Sequence, residues 1–163
     1  MDALLQTVQL PLYRHILSIT ADESMGEDVL QSTLWTIARK LGQLRDPILF
    51  RAWAYRIATR VAVRASKAET EWKRALRDED LSRVLDEGRD VREEPPGDPE
   101  ELDRLLDGVS PAGAVVLRMY YVDDLSYAEI AEALDVPLGT VKSRIGYGLE
   151  TLRRRVIGAR QGT

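Results

Sequence analysis

An all-α fold, two small helical domains joined by a flexible acidic linker, is what this sequence predicts. Three observations lead there. Apolar residues recur at three- and four-residue steps through both halves, the period of an amphipathic helix, and no stretch alternates convincingly as a strand. Proline is unevenly placed: none falls between 48 and 94, and three of the seven lie between 95 and 99. Charge is uneven too. Residues 39–77 hold eleven basic and three acidic side chains, net +8, whereas residues 78–107 hold four basic and thirteen acidic, net −9. Residues 138–163 return to six basic and one acidic, net +5, although the 163-residue chain carries −4 in all. The expected organisation is an N-terminal domain over 1–77, an acidic linker over 78–101 and a C-terminal helix-turn-helix domain over 102–160.

Leu4 to Ile19 reads as the first helix, with Leu5, Val8, Leu12, Ile16 and Ile19 along one face; Pro11 leaves a start at that residue open as the alternative. His15, the single histidine, reads as a partly exposed residue of this helix. Asp22 to Gly26 is expected to be a loop, and Glu27 to Leu41 the second helix, closed by Arg39 and Lys40 at the negative end of its dipole. After a connection over 42–47, Ile48 to about Arg77 reads as one long helix with Phe50, Trp53, Ile57, Val61 and Ala65 on its apolar side. Arg56, Arg60, Arg64 and Lys67 follow one another at four- and three-residue steps and form a basic stripe. Like charges so spaced repel, so a row with almost no acidic neighbours suits a docking polyanion, the alternative being a solvated face.

Glu93 to Pro99 holds three prolines and cannot form regular structure. Beyond it, Leu102 to Leu106 opens the C-terminal domain, and Ser110-Pro111 reads as an N-cap with proline at the first helical position. An apolar helix then runs to about Tyr121, and Asp123-Asp124 form a turn.

The most informative stretch is Leu125 to Arg155. Ser126 and Glu129 form a Ser-x-x-Glu capping box, and Ile130, Ala131 and Leu134 give the helix after it one apolar face. Asp135-Val136-Pro137 breaks that helix. A second begins near Leu138–Thr140 with Val141 and Ile145 inward, leaving Thr140, Lys142, Ser143, Arg144 and Tyr147 to point outward. Hydroxyls and cations offered from the first turns of a helix suit the edge of a DNA major groove. An ordinary helical hairpin with a solvated outer face is the plainer alternative.

Ser126-Tyr127-Ala128-Glu129-Ile130-Ala131 followed by Gly139-Thr140-Val141-Lys142-Ser143-Arg144 closely resembles the C-terminal domain of extracytoplasmic-function sigma factors of the sigma-70 family. The resemblance extends to the N-terminal half. Glu27-Asp28-Val29-Leu30-Gln31 looks like the signature by which that family grips the polymerase clamp, and Phe50-Arg51-Ala52-Trp53 with Arg56-Ile57-Ala58 looks like the start of its promoter-melting helix. It implies binding to RNA polymerase core through Asp28, Gln31, Leu34 and Trp35. By the same likeness, Arg45, Trp53, Arg56, Arg60, Arg64 and Lys67 contact the −10 promoter element, and residues 43–50 form the loop that traps a flipped base. Thr140, Lys142, Ser143, Arg144 and Tyr147 read the −35 element, with Arg153, Arg154 and Arg155 on the flanking backbone. An anti-sigma partner is implied as well. The chain departs from the family pattern in places: Arg60 and Arg64 replace an Asn and an Asp, Glu69 and Glu71 dilute the basic cluster that follows, Asp135 replaces the turn glycine, and Tyr147-Gly148 replaces basic residues.

The absence of cysteine excludes disulfides and thiolate metal sites. No nucleophile–base set and no glycine-rich phosphate loop is visible, so the expectation is a non-enzyme without cofactor or metal. No apolar run nears the roughly 20 residues that span a bilayer, and a cytoplasmic location is expected. Two other functions fit parts of the pattern: a helix-turn-helix activator acting outside polymerase, and a helical adaptor that binds only proteins.

Overall fold

The computed structural model describes residues 2–67, 69–78, 99–106 and 108–161, and all regular structure among them is helical. The middle of the acidic linker lies outside the described residues. In the N-terminal half, α1 (Asp2–Thr20), α2 (Glu23–Lys40) and α3 (Phe50–Ala65) pack on one another around Leu12, Ile16, Val29, Ile37, Ala54 and Ala58. α1 runs straight through Pro11. α2 starts four residues before the expected Glu27, because Asp22 caps it by accepting from the Met25 amide at 2.7 Å. Gly26 belongs to that first turn: a Cβ there would stand 2.7 Å from Leu17 Cδ2, so glycine lets α2 approach α1.

The long helix expected from Ile48 to Arg77 is two helices. Short 3-10 turns at Leu41–Gln43 and Pro47–Leu49 lead into α3, which ends at Ala65, and α4 spans Glu69–Asp78. At the break the Ser66 hydroxyl donates to the Val63 carbonyl and Lys67 takes a left-handed φ of 54°. Nothing in the apolar period announces that break.

The C-terminal half contains α5 (Pro99–Leu106), α6 (Pro111–Tyr121), α7 (Tyr127–Leu134) and α8 (Leu138–Gln161). Ser110 caps α6 by accepting from the Gly113 amide at 3.2 Å, with Pro111 in the first turn. Leu117, Met119, Ile130, Val141 and Ile145 form the centre, each nearly inaccessible to solvent. Burying a side chain of this kind contributes about 1.5–3 kcal/mol. α8 is continuous through Gly146 and Gly148. Gly148 has a packing reason, since a Cβ there would lie 2.7 Å from Leu117 Cδ1, and Leu117 is itself fully buried. Gly146 has none: nothing stands within 4 Å of its Cβ position.

The two halves are in contact. Their buried residues form a single apolar cluster, and α3 lies closely against α7.

Candidate nucleic-acid interface

The helix-turn-helix forms as its residues dictate. Ser126 Oγ accepts from the Glu129 amide at 3.2 Å, and Glu129 Oε2 accepts from the Ser126 amide at 2.8 Å, which closes the capping box. Asp135 ends α7 in the left-handed region, φ 57° and ψ 49°, and the Val136 amide then donates back to the Ala131 carbonyl at 3.1 Å. The Pro137 carbonyl accepts from the Thr140 amide at 3.0 Å and opens α8. Val141 and Ile145 point inward as expected.

The outward face of α8 is only partly as expected. Lys142 and Tyr147 are exposed, and Ser143 is half-buried with its hydroxyl donating to the Gly139 carbonyl at 2.9 Å. Thr140 and Arg144, expected to point into solvent, are instead buried, 4% and 2% exposed. α4 is a neighbour on this face: Arg144 Nη2 donates to the Ala75 carbonyl at 2.8 Å. Farther along, Arg153, Arg154 and Arg155 are exposed. Arg154 pairs with Glu150 of its own helix, and Arg155 donates to the Leu105 carbonyl at 3.0 Å, lying over Gly108.

The basic stripe of α3 is likewise engaged. Arg56 pairs with Glu132 and lies 3.6 Å from Asp135, and Arg60 lies 3.9 Å from the same carboxylate. Arg51 donates to the Asp123 carbonyl oxygen. Arg64 and Lys67, nearer the α3–α4 break, are exposed, as is Arg45. Trp53 is half-buried and packs with Phe50 at a ring distance of 6.2 Å, which marks it as largely a core residue.

Asp123 stands where the halves meet. Burial raises its pKa to about 6, against the opposing pull of the Tyr55 phenol and the Arg51, Arg14 and Arg118 guanidinium groups. Tyr55 is raised in turn by burial and by the nearby Asp123 carboxylate. The contacts of Arg51 with Asp123 and of Arg56 with Glu132 join residues 72 and 76 positions apart in the chain, and no local pattern reveals them.

Elsewhere in the N-terminal half, α2 exposes Asp28, Gln31 and Trp35 along one face, with Leu34 half-buried beside them. Trp35 is 63% exposed, and the Arg39 guanidinium sits 4.5 Å over its ring. Ile48 (83% exposed) and Leu49 also project from the short turn capped by Asp46, an apolar pair that stands where the expected long helix was to begin.

Known proteins align with both halves. Residues 4–78 match the family described as Sigma-70 region 2, and residues 100–152 match Sigma-70, region 4. The chain is 31% identical over 152 residues to the ECF RNA polymerase sigma factor SigL of Mycobacterium tuberculosis, covering 87% of this chain and 80% of that protein. It is 29% identical over 152 residues to the ECF RNA polymerase sigma factor SigE of Mycolicibacterium smegmatis, covering 87% of this chain and 56% of that one. In structure it is similar to the sigma factor RpoE of Bartonella quintana, solved in complex with the anti-sigma factor NepR, at a TM-score of 0.65 with 18% identity and 94% of each chain covered. Two matched regions in the order and spacing of that fold, with a capped helix-turn-helix in the second, place the chain in the extracytoplasmic-function group of sigma-70 family sigma factors.

Proposed function

We propose that this sigma factor, which directs RNA polymerase to promoters, divides the work between its halves. Residues 1–77 form the domain that binds core polymerase and opens the −10 element, residues 78–101 a linker, and residues 102–160 the domain that reads the −35 element. The carrying observation is the α7–turn–α8 unit, closed by its capping box and by the left-handed Asp135, in the half that matches region 4. α8 enters the major groove, where Thr140, Lys142, Ser143 and Arg144 meet bases and phosphates, with Tyr147 and Arg153 to Arg155 along the backbone. Arg144 can do so only after its guanidinium has left the Ala75 carbonyl of α4.

In the N-terminal half, the exposed face of α2, with Asp28, Gln31, Leu34 and Trp35, docks on polymerase; an exposed tryptophan beside charged residues is the composition of an interface hot spot. Arg45, Arg56, Arg60, Arg64 and Lys67 hold the −10 strand by its phosphates, and Trp53 supports the site from the core. The factor performs no chemistry of its own and works in the cytoplasm beside polymerase and chromosome. An anti-sigma partner holds it in reserve, a proposal supported by the structural relative solved with such a partner. Among the described residues no helix is long and apolar enough to cross a membrane.

The test is transcription. The purified chain is added to core RNA polymerase with fragmented genomic DNA, and transcript 5′ ends are mapped. Specific starts sharing upstream sequence at two fixed positions are expected. Core polymerase that neither binds the chain nor starts specifically would overturn the proposal.

A further inference from the structure

The outward face of α3 offers hydrogen-bond donors and withholds acceptors. From 47 to 68 the chain holds no aspartate, glutamate, asparagine or glutamine. The exposed residues of α3 are Arg51, Arg60 and Arg64, and exposed Lys67 follows just beyond it. The oxygens that are present are engaged or buried. Tyr55 and Thr59 lie in the core, and the Ser66 hydroxyl is turned onto the Val63 carbonyl. At the end of the helix, where carbonyls would stand free, those of Ala62 and Arg64 accept from the Ser66 and Lys67 amides. Guanidinium and ammonium groups donate and do not accept.

A phosphate takes any such cation, but a base edge does not. The guanidinium fork presents two parallel N–H groups and is satisfied by two acceptors side by side. Adenine and thymine have no such pair on any edge, and cytosine has one only on its pairing edge, which a duplex hides. Guanine has O6 and N7 on its major-groove edge, open to contact before and after the strands part. Arg64 is the residue of α3 placed to use it. Arg51 donates to the Asp123 carbonyl, and Arg56 and Arg60 face the carboxylates of α7, whereas Arg64 has no ion pair among the described residues. Arg60 stands one turn before it and Lys67 one turn after, cations on either side to hold the strand by its phosphates while the middle one reads.

We propose that Arg64 selects a guanine in the −10 element through a bidentate contact with O6 and N7. The proposal rests on the reading of α3 as the −10 face and adds to it the base that this face prefers. The aspartate of the family pattern, which only accepts, would not make that choice.

The test uses the full chain with core polymerase. A promoter located by its mapped transcript start is randomised across the −10 element, and templates held in heparin-resistant open complexes are sequenced. With the wild type, one position should favour guanine over each other base by at least about five-fold, the low end of what one bidentate pair discriminates. Arg64→Gln, whose amide matches adenine N6 and N7, should move the preference at that position to adenine and leave the other positions as they were. Arg64→Lys keeps the charge without the fork, and should lose most of the guanine preference while keeping the salt dependence of binding. A wild type with no guanine-favouring position, or an unchanged guanine preference in either variant, would overturn the assignment. If Arg64→Gln forms no open complexes, Arg64→Lys decides by the same readout. Failure of the wild type itself to form promoter complexes would overturn the sigma reading beneath the proposal, and that result is read before any base preference is.

Discussion

His15, midway along α1, stays neutral in the folded chain because burial lowers its pKa to about 3 from an ordinary 6.5. The Thr59 hydroxyl donates to the Tyr55 carbonyl at 2.8 Å, so its oxygen is left to accept from His15 Nε2, also at 2.8 Å. The unfolded chain takes a proton on this group below pH 6.5 and the folded chain does not, so stability is lost on acidification by about 1.4 kcal/mol per pH unit. Asp123 has the opposite sign: its folded pKa is about 6 against an ordinary 3.8, so the folded chain takes up the proton first and stability is gained as pH falls between those values. From about pH 6 to pH 4 the two slopes oppose each other. Thermal unfolding across that range should show His15→Gln gaining stability with acid and Asp123→Asn losing it more steeply than the wild type. Parallel curves for all three proteins would refute both assignments. Arg144 is read at the same scale. In the holoenzyme, Arg144→Ala should weaken promoter binding by about 1–3 kcal/mol and relax base choice under it, measured by competition between −35 variants. The sequence offered Arg144 as an outward-facing cation and did not show its burial, because the carbonyl it meets, that of Ala75, lies 69 positions away.

Helix boundaries were legible at several places where a side chain closes them locally, though not at Asp22, whose cap on the Met25 amide starts α2 inside the expected loop. Ser110-Pro111, the Ser126/Glu129 box and the left-handed Asp135 all stand where the local chemistry puts them. They were not legible where packing decides. Asp22 to Gly26 reads as a loop from its polar and small residues, yet Gly26 is the contact that lets α2 pass close to α1. The α3–α4 break falls at Ser66-Lys67 without glycine or proline to signal it. The glycines of α8 separate local propensity from packing. Gly146→Ala meets open space and should stabilise the chain by up to about 1 kcal/mol, the usual helix gain of alanine over glycine. Gly148→Ala must push into Leu117 and should destabilise it by about 1–3 kcal/mol, as overpacking does. Urea unfolding of the two variants checks the pair; equal effects would mean that the α6–α8 contact is looser than described.

For the whole molecule, amphipathic period and charge blocks reveal two helical units and a basic face on each, because those features are written in neighbouring residues. Which face meets which is not written there. Arg56 and Glu132 lie 76 positions apart, and Glu132 and Asp135 look like solvated acids until α7 is laid on α3. The same long-range pairing gives Asp135 two duties that need not coincide. As the residue that ends α7 at a φ of 57°, it strains a backbone that glycine would occupy freely. Its carboxylate also faces Arg56 and Arg60. Asp135→Gly should therefore raise the unfolding midpoint of the C-terminal helices and, in the same protein, lengthen the distance between the halves; a gain in both firmness and closure would contradict this. One position thus sets a trade between a better-made turn and a firmer seam between α3 and α7.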